Sequence, residues 1–128
     1  MSLLADIVTR WANVSALHSV VPSTKVIVGE PILGWDIPSV ALTGYVREKS
    51  VRVANADRIE RLTLEASLRG ATATALESLL LAMAVQLPPV PLTGGGSIRS
   101  YEMFSARLAR DPTSKQYVIQ ATIVYMLW

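Results

Sequence analysis

Leu62, Leu64, Ala66 and Leu68 alternate with Arg61, Thr63, Glu65, Ser67 and Arg69, and the run stops at Gly70. Strand side chains point to alternate faces, so residues 58–69 predict a strand with one buried face and one wet face. Directly after Gly70 the period changes. Leu76, Leu79, Leu80, Met83 and Leu87 fall at helical spacing, which predicts a helix over 72–87. Thr74 and Glu77 have the spacing of a capping box at its start. A half-buried strand followed at once by such a helix demands a sheet with helices laid on one face. Leu81 and Val85 form a second apolar stripe, more than one sheet needs to cover. They are expected in a second contact, within the chain or across subunits.

The rest of the chain follows the same two periods. Leu3, Leu4, Ile7, Val8 and Trp11 predict an N-terminal helix, with Ser2 as its cap and Asp6 near the positive end of its dipole. A short helical turn is expected over 14–21, ended by Pro22, and a short strand over 25–28. Gly29, Pro31, Gly34 and Pro38 make 29–38 a loop, and Trp35 is its one large ring. After Pro38, Val40, Leu42 and Val46 share one parity of a strand, opposite Ser39, Ala41, Thr43 and Tyr45. Residues 47–57 are polar and basic, the tip of a long hairpin or a loop. Two strands, 98–110 and 115–127, close the chain around an Asp111-Pro112-Thr113-Ser114 turn. In the last strand Tyr117, Ile119, Ala121, Ile123, Tyr125 and Leu127 share one face. Val118, Val124, Met126 and Trp128 make the other face apolar too. Such a strand is either covered twice or part of a subunit contact. The order α-β-β-β-α-β-β predicts a single α+β domain over 1–128. Its sheet is mostly antiparallel, with four to five strands and two main helices packed on it.

Little here suits chemistry. Without cysteine there is no disulfide, thiolate metal site or cysteine nucleophile. The single histidine, His18, sits in an apolar context, and no Gly-x-Ser-x-Gly elbow presents a serine to it. The close acidic pairs, Glu30 with Asp36 and Asp57 with Glu60, have basic neighbours, so neither a metal nor any other cofactor is expected. Gly94-Gly95-Gly96-Ser97 lacks the Gly-Lys ending of a phosphate loop and precedes a strand. A net charge of +2, with no aromatic interleaving around Arg47, Lys49, Arg52 and Arg58, argues against specific nucleic-acid binding. These four cations are expected on a solvated hairpin or on a docking loop for a protein partner. No apolar run reaches the ~18 residues of a membrane span and no signal peptide is visible, so no membrane association is expected.

The order of segments resembles the tail-terminator (tail-completion, minor tail) proteins of long-tailed bacteriophages and prophages. The resemblance rests on the Leu-rich first helix, on Ile37-Pro38-Ser39-Val40-Ala41-Leu42 opening a strand, and on the strand–Gly70–helix unit with Ala75 and Leu79-Leu80. The closing hairpin, Ala109-Arg110-Asp111-Pro112-Thr113-Ser114-Lys115-Gln116-Tyr117, completes it. These motifs are architectural. The resemblance implies a non-enzymatic virion protein, assembled in the bacterial host cytoplasm. Its subunits would form a ring, typically a hexamer, on the head-proximal end of the tail tube, stop its growth and offer a head-joining surface. The implied partners are further copies of the chain, the major tail tube protein and head–tail connector proteins. Leu81, Val85, Val118, Val124, Met126 and Trp128 are the residues expected at the subunit interface. A neck or head-closure subunit is the alternative within assembly proteins. A small-ligand-binding or enzymatic domain would instead show a pocket with a buried polar cluster.

Overall fold

The computed structural model describes residues 3–30, 38–49, 60–93, 96–113 and 115–127. Helix α1 spans Leu3–Trp11 and α2 spans Ser15–His18; a 3₁₀ turn, Ser23–Lys25, leads into β1, Val26–Val28. Then come β2 (Ser39–Lys49), β3 (Glu60–Gly70), α3 (Ala73–Val85), β4 (Val90–Pro91), β5 (Ser97–Arg110) and β6 (Tyr117–Leu127). The sheet has six strands in the order β1-β2-β3-β6-β5-β4. All neighbours are antiparallel except β1 and β2.

The fold is therefore α+β, as the patterning predicts, but the sheet is mixed and has more strands than expected. The additional strand is β4, two residues within a proline-rich segment that carries no strand pattern. The β1–β2 pair is parallel, with Val26 opposite Val40 and Val28 opposite Leu42.

The core lies between the helices and one sheet face. Leu62, Leu64, Ala66 and Leu68 of β3 are buried there, beside Ile119, Ala121, Ile123, Tyr125 and Leu127 of β6. Leu76, Leu79, Leu80 and Met83 of α3 cover them, and α3 lies over β3, β5 and β6. Gly70 is where strand gives way to helix. A Cβ there would come within 2.9 Å of Leu76 Cδ2, so any larger residue would push the buried Leu76 of α3 aside. The N-cap of α3 is Thr72, whose Oγ1 accepts from the Ala75 N–H at 3.3 Å. Thr74 does not fill that role, because it already lies inside the first turn. The C-terminus is closed from the sheet: Tyr125 Oη donates to the Met83 carbonyl at 2.6 Å, one of the last-turn carbonyls with no helical partner.

Helix α1 buries Leu3, Leu4, Ile7 and Trp11 as its spacing requires. Its polar side clamps the segment after α3. Arg10 Nε donates to the Leu87 carbonyl at 2.9 Å, while the Asp6 carboxylate accepts from the Thr93 N–H and hydroxyl at 3.1 and 2.6 Å. Trp11 Nε1 donates to the Val21 carbonyl at 2.7 Å. Ser2, the expected cap of α1, and Trp35 lie outside the described residues.

Candidate assembly surfaces

The helices leave one face of the sheet open, and cross-strand register fixes which side chains share it. Successive rows across β2, β3, β6 and β5 are Ser39–Arg69–Val118–Ala109 and Ala41–Ser67–Gln120–Arg107. The next are Gly44–Glu65–Thr122–Ser105 and Val46–Thr63–Val124–Met103. This face is polar with an apolar stripe. Val118, Val124 and Met126 are half-buried on it, and Ser39, Ala41 and Ser67 of the first rows are buried. Strand β6 is thus central in the sheet, and among the described helices α3 covers its other face. Arg69 Nε is buried, and no described group accepts from it.

A register shift between Leu42 and Gly44 changes the expected parity of β2. Val40 and Leu42 are buried, whereas Val46 turns to the open face and is 55% exposed. Tyr45 points to the helix side and is 39% exposed. One extra residue in a strand exchanges the faces of all that follow, which simple alternation overlooks.

Both margins of the sheet are stepped. On one side β1 pairs only with Val40–Leu42, so no described strand lies beside β2 from Gly44 to Lys49. On the other, β4 pairs only with Ser97 and Ile98, so none lies beside β5 from Ser100 to Arg110. Every residue from Tyr101 to Arg110 is exposed, including Tyr101, Met103, Phe104 and Leu108. The rings of Tyr101 and Phe104 lie 6.1 Å apart and tilted by 48°. A long, apolar, unpaired strand edge is a template for another chain. Sequence patterning misses this edge because two register shifts break the alternation of β5, between Ile98 and Ser100 and between Tyr101 and Met103. The absence of a clean period in a long strand is the signal that was there to find.

The predicted interface residues do not form one surface. Leu81 and Val85 are half exposed, at 52% and 51%, on the side of α3 turned away from the sheet. Val118, Val124 and Met126 lie on the far side of the sheet, and Trp128 is outside the described residues. Of the predicted docking cations, Arg47 is exposed near the end of β2 and pairs with Glu60 at 2.8 Å. Lys49 ends the strand opposite Glu60. Arg52 and Arg58 fall outside the described residues. A second surface pair joins Arg61 to Glu102 at 2.9 Å.

Among the described residues no group of three or more His, Asp or Glu could hold a metal ion. His18 is exposed at the end of α2. A shallow recess of about 260 Å³ is lined by Asp6, Thr9, Arg10, Asn13 and Pro91. Its two charged groups are already bonded to the segment after α3. Burial pushes the Tyr125 hydroxyl far above the ordinary tyrosine range, which keeps it a donor to α3 and no acid–base group. No described helix is long and apolar enough to cross a membrane.

The fold has a relative among solved structures. A chain of the virion of the native gene transfer agent (GTA) particle superposes with a TM-score of 0.69. The superposition covers 98% of this chain and 94% of that one, at 14% identity. The whole domain thus has the fold of a virion chain, while nearly all side chains differ. No protein-family model and no curated protein matches the sequence.

Proposed function

We propose that this chain is a structural virion subunit of the phage type, with no enzymatic activity. Its copies form a ring, a hexamer, on the head-proximal end of a tail tube, where the ring stops growth and presents a head-joining surface. The observation that carries this reading is the full-length superposition on a virion chain. The order of sequence motifs supports the tail-terminator role within that class. The stepped, exposed sheet margins suit a subunit whose work is contact. Arg47, Lys49, Arg52 and Arg58, on and beyond the end of β2, form the arm that meets the tube or the connector.

Mixing the purified protein with its tail tube protein tests the reading, with negative-stain electron microscopy of the products. Tubes capped at one end and arrested in length are expected. Tubes that grow unchanged, with binding to connector rings instead, would replace the terminator role with that of a neck subunit.

A further inference from the structure

We infer that copies of this chain join head to tail by pairing the free edge of β5, residues 106–110, with the free edge of β2, residues 45–49, of the next copy. The inference deepens the ring reading and rests on it only for closure of the contacts into a ring.

Three observations carry it. First, the two edges differ and lie at opposite margins of one sheet, which a heterologous, ring-closing contact requires. Two antiparallel strands, β3 and β6, separate β2 from β5. A neighbouring β2 laid beside β5 with the sheet faces continuous therefore runs antiparallel to it.

Second, the steps set the stagger. Strand β1 occupies the lower part of the β2 margin, beside Val40–Leu42, and would collide with β5 unless Arg110 lies above that level. Matching faces as well as clearing this step sets Tyr45 opposite Arg110, Val46 opposite Ala109, Arg47 opposite Leu108 and Glu48 opposite Arg107.

Third, the charges fit. On the open face, Arg107 is the charged residue of the 106–110 edge and Glu48 is that of the β2 edge; Arg61, opposite Glu48 on β3, is paired to Glu102. Two β5 edges paired with each other would instead crowd Arg107 and Arg110 against their copies with no acid between 103 and 110. A second copy presenting β2, rather than β5, is the occupant these charges select.

The chain has no cysteine, so a pair of introduced thiols reports the contact cleanly. Within one chain positions 46 and 109 are three strand spacings apart, at least ~14 Å, beyond the ~7 Å Cα limit of a disulfide. Val46→Cys with Ala109→Cys, oxidised at the highest concentration the protein reaches and again on tail tubes, should give a ladder of covalent multimers. Each single variant should stay a single chain. Glu48→Arg or Arg107→Glu alone should lower ladder yield several-fold, and the two together should restore it. Two outcomes overturn the inference: covalent dimers from Ala109→Cys alone, which mean β5 pairs with β5, or no ladder under either condition while circular dichroism shows a folded protein. A ladder without capped tubes would sink the terminator role and leave the contact. Capped tubes without a ladder would do the reverse.

Discussion

Tyr125 shows how one side chain serves two layers. It is fully buried in the sheet, yet its hydroxyl closes the end of α3 on Met83. Replacing it with Phe keeps the ring and orphans a buried carbonyl, so Tyr125→Phe should cost about 1–3 kcal/mol in urea unfolding. The raised pKa sets a sign. The group contributes its full stability below the unfolded-state value of about 10, and loses it as pH rises beyond that at up to ~1.4 kcal/mol per unit. Alkaline destabilisation above that pH should therefore be shallower in Tyr125→Phe, read from denaturant midpoints across the range. At Gly70 the constraint is space. Gly70→Ala meets the buried Leu76 and should cost about 1–3 kcal/mol; a variant as stable as the parent would show that α3 can lift from the strand.

Among elements, α3 is held from more than one side. Thr72 caps its start, and Thr72→Ala should lower thermal stability by about 0.5–2 kcal/mol. The outward residues Leu81 and Val85 carry little of the core. Leu81→Asp should leave the unfolding midpoint nearly unchanged, while light scattering shows weaker association if α3 takes part in contacts between copies. Unfolding of that variant would mark the stripe as core. The same elements show what sequence makes legible. The run from Leu62 to Leu68 alternates without interruption, so its strand, its buried face and its position under α3 are readable directly. Strand β2 begins just as legibly and then passes an extra residue near Gly44, which sends Val46 to the face opposite Leu42. Strand β5 passes two such shifts, and its exposed edge is invisible to any period of two. Strand β4 is too short to carry a pattern and depends on contacts with Ser97 and Ile98, distant from any local propensity. The second apolar face of β6 is legible in its alternation, and Val118, Val124 and Met126 are half-buried there.

At the scale of the molecule, charge reversal of Arg52 and Arg58 together should leave association between copies intact and reduce cosedimentation with tail tubes. Equal cosedimentation would remove that arm from docking. The steps left by β1 and β4 have a mechanical consequence. In a ring joined by the proposed β5–β2 pairing, clearing them would displace each subunit by about six residues along the strands, ~20 Å, over a repeat of four strand spacings, ~19 Å. Strands arranged so are inclined by roughly 45° to the ring axis, near the tilt of closed barrels. An inclined staircase of this kind couples rotation to bore: twisting such a collar in one sense narrows its opening and in the other widens it.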